Sequence, residues 1–168
     1  MKHKVIGKQP NSKMCFVCGL NNSYGLQADF YELGNGELLA TFTPQEEHQS
    51  YLGITHGGVL TAILDETIGR AIMMKYDEPV WGVTLEFNCK FKMPVPTDTQ
   101  FRVVGRVTEE KGRIFKGTGE ILLPEGQIAV EGSGKFMKRP FEKIANLNEE
   151  ELGWKVVSSP DDLVEIEL

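Results

Sequence analysis

The sequence predicts an α+β fold: a curved, six-stranded antiparallel sheet wrapped around one long central helix. Three observations carry this. Residues 55–72 are one stretch with apolar side chains at sustained helical spacing, and no proline interrupts it. Two short runs before it and four after it carry the alternation or composition of half-buried strands. One helix cannot cover both faces of six strands, so the economical packing bends the sheet around it.

The elements follow in order. Residues 1–14 read as a flexible arm, basic and without an apolar run. Cys15-Phe16-Val17-Cys18-Gly19 comes next, then the turn formers Asn21-Asn22-Ser23-Tyr24-Gly25-Leu26. Cys-x-x-Cys is half of a zinc site or a redox pair. A structural zinc takes four ligands, and the remaining candidates, Cys89, His3, His48 and His56, are scattered. A buried structural turn with no metal is the expectation. Residues 26–33 and 37–43 form a hairpin about Gly34-Asn35-Gly36. Residues 44–53 make a polar loop that leads into the helix.

Thr55 is placed to cap that helix, and Gly57 and Gly58 let another backbone or a ligand approach its first turn. Leu60, Ile63, Leu64, Ile68, Ala71 and Ile72 make one apolar stripe, and Asp77-Glu78-Pro79 stops the helix after residue 75. Asp65 and Glu66 interrupt it with two carboxylates. A buried acid is costly unless it is paired or used, so these two mark the candidate site.

Residues 80–93 form a long strand. Val83, Leu85, Phe87, Cys89 and Phe91 lie on one face, and Thr84, Glu86, Asn88, Lys90 and Lys92 on the other. Three more strands span 100–109, 113–123 and 127–138, separated by Glu110-Lys111-Gly112 and Pro124-Glu125-Gly126. Gly117, Gly119, Gly132 and Gly134 suit bends or close approach in a curved sheet. Residues 140–168 are an acidic extension. They carry a short helix near 148–152 capped by Asn148, and Trp154, Val156 and Val157 for docking. The domain proper is thus 15–139.

The length of 168 residues fits one domain, and the net charge of −6 argues against a nucleic-acid surface. The charge is uneven: −4 over residues 1–89, +4 over 90–139 and −6 over 140–168. The basic strand region suits an anionic ligand, and equally a solvated sheet face. No secretion signal and no membrane-length apolar run are present, so a cytoplasmic location without a membrane partner is expected. Three cysteines in that setting argue against disulfides.

His56-Gly57-Gly58-Val59, with Asp65 nine residues after His56, resembles the hotdog-fold acyl-CoA thioesterases of the phenylacetate-pathway type. The resemblance covers residues 15–139 and includes the Cys15-Phe16-Val17-Cys18-Gly19 … Gly25-Leu26 opening of one subset. It implies a hotdog fold and hydrolysis of an acyl-CoA to acid and coenzyme A, with no metal or organic cofactor. Asp65 would be nucleophile or general base. The Gly57 N–H would polarise the thioester carbonyl, and His56 would orient the loop or touch the thioester. The site would lie between two copies of the chain, in a homodimer or a homotetramer. Gln49, Ser50, Gly58, Gly69, Lys90 and Arg139 are the expected substrate contacts, with Lys92, Arg102 and Lys138 as further basic candidates for the coenzyme A phosphates.

Two positions depart from the family pattern. Relatives carry Asn or Gln six residues before the histidine, where Ser50 stands here beside Gln49. Relatives often carry Ser or Thr four residues after the acid, where Gly69 stands. The rival reading is a non-catalytic acyl-CoA binding protein on the same fold. More local alternatives are a helix-start role for His56, a structural acid at Asp65, a solvated or dimer-facing Glu66, and structural histidines at His48 and His3.

Overall fold

The chain begins in a strand. In the computed structural model, which describes residues 1–144 and 148–168, β1 runs Lys2–Lys8, β2 Asp29–Leu33, β3 Leu38–Phe42, β4 Gln49–Tyr51 and β5 Ile54–Thr55. Helix α1 spans Gly57–Arg70 and tightens into a 3-10 turn at Ala71–Lys75. Then follow β6 Val80–Phe91, β7 Phe101–Lys111, β8 Ile114–Leu122 and β9 Ile128–Pro140, the short helix α2 Glu149–Leu152, and β10 Glu165–Glu167. The main sheet is antiparallel in the order β10-β1-β2-β3-β7-β8-β9-β6, and β4 and β5 form a separate small pair.

The six expected strands are all present, as β2, β3 and β6 to β9. The sheet has eight because both terminal segments join it. Residues 1–14, expected as a flexible arm, hold β1, which pairs with β2 on one side and β10 on the other. Backbone hydrogen bonds make this strand, and none of its residues is fully buried. The acidic extension is likewise built in. Phe141 is buried, and Trp154 packs on Trp81 with ring centroids 4.9 Å apart. The expected short helix forms, with the Asn148 carbonyl oxygen of its side chain accepting from the Glu150 N–H at 3.0 Å.

The sheet curls around α1, whose Leu60, Ile63, Leu64, Thr67 and Ile68 are buried beneath it. Fully burying Leu64 or Ile68 contributes roughly 2–3 kcal/mol each. Ile68 presses so closely on β8 that a Cβ at Gly117 would sit 2.5 Å from its Cγ2, and one at Gly119 2.9 Å from its Cγ1. A Cβ at Gly117 would also lie 2.7 Å from the Arg106 carbonyl oxygen on β7, which cannot give way. Close approach is therefore what these glycines permit, as their recurrence in the strands implies. Gly117→Ala is expected to destabilise the fold by about 1–3 kcal/mol, read as a lower urea midpoint.

Two local expectations are corrected. Thr55 does not cap α1: it is buried, and its hydroxyl donates to the Pro96 carbonyl at 3.2 Å. His56 is the N-cap instead, its Nδ1 accepting from the Gly58 N–H at 2.9 Å. The two-face alternation of β6 also fails, because the β6–β9 register shifts between Thr84 and Glu86. This bulge puts Gly82 and Thr84 on the helix side before it and Phe87 and Cys89 on the core side after it, while Val83 and Leu85 stay exposed.

Candidate active site

Asp65 sits on the third turn of α1, half-buried, at the wall of a cavity of about 220 Å³. Four separate segments close that cavity. Helix α1 contributes Asp65, Glu66, Gly69 and Arg70, β6 contributes Trp81, Gly82 and Thr84, and Ser12, Cys15 and Cys18 come from the loop after β1. Trp154 and Leu152 of the C-terminal segment complete the wall. The Thr84 hydroxyl donates to Asp65 Oδ1 at 2.8 Å. Burial pushes the Asp65 carboxyl above the usual range, the Thr84 bond pulls it back, and the neighbouring Glu66 charge raises it again. The net shift is upward.

Glu66 lines the same cavity but is spoken for: Arg70 Nε donates to its Oε1 at 2.8 Å, one helical turn away. Arg70 itself donates to the Pro10 carbonyl at 2.9 Å and lies over the rings of Phe30 and Trp154. The two acids are therefore distinct: among the described residues, one is paired with a cation and the other is held by a hydroxyl.

Gly57 is elsewhere. Its N–H is the first of α1 and has no partner within the helix by position. Gly57 lines a second cleft of about 320 Å³ with Leu60, Phe91 and Met93, which shares no lining residue with the Asp65 cavity. Eight residues of helix separate Gly57 from Asp65, about 12 Å. Within one chain the two cannot meet the same carbonyl.

The other expected contacts are placed as follows. Gln49 and Ser50 lie in β4, at the Gly57 end, where Gln49 Oε1 accepts from the Gly53 N–H at 3.1 Å and Ser50 is exposed. His56 and Gly58 are exposed beside the helix start. His56→Ala should cost about 1 kcal/mol through loss of the cap, measurable by chemical denaturation. His48 is a structural histidine, buried and bonded through Nε2 to the Tyr24 carbonyl at 2.8 Å. Lys90 and Arg139 do not converge. Arg139 pairs in register with Trp81 and Lys90 with Glu131, nine residues along β6, or about 30 Å. Lys92 is paired with Glu131, Lys138 with Glu110, and Arg102 donates to the carbonyls of Pro124 and Glu167. Those three are engaged and not arranged around one anion.

Residues 52–130 match the family described as the thioesterase superfamily. The fold is the hotdog fold. Among the chain's relatives is an uncharacterized protein of Schizosaccharomyces pombe, 25% identical over 113 residues, or 65% of this chain and 64% of the relative. A solved thioesterase superfamily protein matches with a TM-score of 0.60 and 25% identity over 66% of this chain and 53% of its own. A hypothetical thioesterase of Streptococcus pneumoniae, solved with coenzyme A, matches with a TM-score of 0.57 and 18% identity over 62% of this chain and 82% of its own. The chain spans less than two thirds of the length of the first two. The matched segment includes Gly57, Asp65 and Thr84. It stops short of Cys15, Cys18 and Trp154, which add walls to the cavity from outside it.

Thr84 is the site residue that periodicity hides. It belongs to the expected polar face of β6, and only the bulge turns it towards Asp65. It supplies a hydroxyl beside the acid where Gly69 has none.

Proposed function

We propose that this protein hydrolyses acyl-CoA thioesters in a site completed by a second copy of the chain. The observation that carries the reading is Asp65: a half-buried acid of raised pKa, at a cavity wall, bonded through one oxygen to Thr84. Its second oxygen is left to act on water or on the thioester. The amide of Gly57, at the positive end of α1, suits the developing negative charge on the carbonyl oxygen. Since one chain keeps Asp65 and Gly57 about 12 Å apart, the Asp65 of one copy would work with the Gly57 amide of the other. The edge strand β6 supports that pairing. It is twelve residues long and, among the described residues, unpaired on one side, with Val83, Leu85 and Phe91 38%, 49% and 53% exposed. Such an edge is covered in a working protein. Hydrolysis adds hydroxide from water to the acyl carbon, and the proton that Asp65 accepts passes to the departing thiolate.

The match of residues 52–130 to the thioesterase superfamily and the coenzyme A-bound neighbour from Streptococcus pneumoniae support a coenzyme A thioester as substrate. Arg139, with Arg113 and Lys143, borders a basic cleft of about 310 Å³ and would take the phosphates. The second reading, acyl-CoA binding without turnover, draws on Gln49, whose carbonyl oxygen is already bonded to Gly53. A thiol-trapping screen over short, long, branched and aromatic acyl-CoAs separates them. Saturable thiol release by the wild type, lost in Asp65→Asn, is expected. Thermal stabilisation by an acyl-CoA with no thiol release from any would establish the binder.

A further inference from the structure

Cys15 Sγ, Cys18 Sγ and a carboxylate oxygen of Glu66 lie within 4.8 Å of one another on the wall of the Asp65 cavity. We infer that they form a binding site for a thiophilic divalent cation of the zinc class, with a fourth position open to the cavity. The site does not depend on the hydrolytic reading. It also departs from the plain turn expected of Cys-x-x-Cys, because the third donor, Glu66, stands 51 residues from Cys15.

The loop is shaped around a sulfur. The backbone N–H groups of Val17 and Cys18 both donate to Cys15 Sγ, at 3.4 and 3.5 Å. Ser12 Oγ lies 3.4 Å from Cys18 Sγ. Donors aimed at a sulfur favour the thiolate, the form that binds metal.

Glu66 is set in advance. Arg70 holds Oε1, and Oε2 is 4.0 Å from Cys15 Sγ. A ligating carboxylate fixed by an outer hydrogen bond is the usual support of a metal site. Zn–S bonds of about 2.3 Å and Zn–O bonds of about 2.0–2.2 Å put tetrahedral ligand atoms about 3.5–3.8 Å apart. Closing the present spacing to that needs movements of under about an ångström. The charges also balance. Two thiolates and a carboxylate are offset by a divalent cation and the Arg70 guanidinium, which is 6% exposed. Two sulfurs among three donors select against magnesium and calcium.

Untagged, reduced, metal-free protein is titrated with Co²⁺ and then with Zn²⁺ against a chromophoric chelator. One Co²⁺ per chain is expected, with a thiolate-to-cobalt charge-transfer band, displaced by Zn²⁺ and not by Mg²⁺. Cys15→Ser and Glu66→Gln should each weaken Zn²⁺ binding by about 10–100-fold. Zn²⁺ should raise the wild-type Tm by several degrees and leave that of Cys15→Ser unmoved. No charge-transfer band in the wild type, or unchanged Zn²⁺ affinity in the near-isosteric Glu66→Gln, would overturn the site. Neither result bears on thiol release from acyl-CoA.

Discussion

Asp65→Ala is expected to lower kcat/KM on the best acyl-CoA by about 10²–10⁴-fold, with far-ultraviolet circular dichroism unchanged. The size follows from the role: loss of a positioned base or nucleophile, not loss of packing. Asp65 is half-buried and makes one side-chain hydrogen bond, to Thr84, so its removal leaves the helix intact. The pH dependence has a fixed sign. Burial raises the Asp65 pKa, so wild-type kcat/KM falls on acidification through a value above the ordinary carboxylate range. Stability moves the other way. The folded state holds this proton more tightly than the unfolded chain, so ionising Asp65 costs stability as pH rises through that window. Asp65→Asn removes that cost. Its Tm should equal or exceed the wild type's at neutral pH, with the advantage gone below the carboxylate range. An Asp65→Asn variant that keeps wild-type turnover, or one clearly less stable at neutral pH, would show that the acid is structural.

Leu85→Glu is expected to give monomers in sedimentation analysis and to cut turnover by about 100-fold or more. Leu85 is the extra residue at the β6 bulge, exposed on the sheet edge. Two copies pairing there about a two-fold axis would bring each new carboxylate into one shared, apolar interface. The folded chain should survive, because Leu85 belongs to neither buried core cluster. The expectation rests on geometry: one chain keeps Gly57 and Asp65 in separate cavities. A monomeric Leu85→Glu with full turnover would mean that a single chain suffices.

The helix and six of the strands, β2, β3 and β6 to β9, were legible because each buries one side, and burial writes a period into the sequence. Strand β1 was not. Lys2, His3 and Lys4 pair through their backbone with β10, and a strand held that way needs no apolar pattern. The nine-residue spacing of His56 and Asp65 located the candidate acid, yet it said nothing of Thr84. A bulge changes which face a residue takes without changing composition. Glu66 and Cys15 are brought together only by the loop packing on α1, and no spacing rule links residues so far apart in the chain. Lys90 and Arg139 looked alike as basic strand residues. Only the register of β6 against β9 shows them at opposite ends.

The packing of Trp154 on Trp81 has an optical consequence. These are the two tryptophans of the chain, their rings are 4.9 Å apart, and both border the Asp65 cavity. All the indole emission of the molecule therefore originates at the candidate site. Whatever enters that cavity can be followed in the unmodified protein by intrinsic fluorescence, with no label attached.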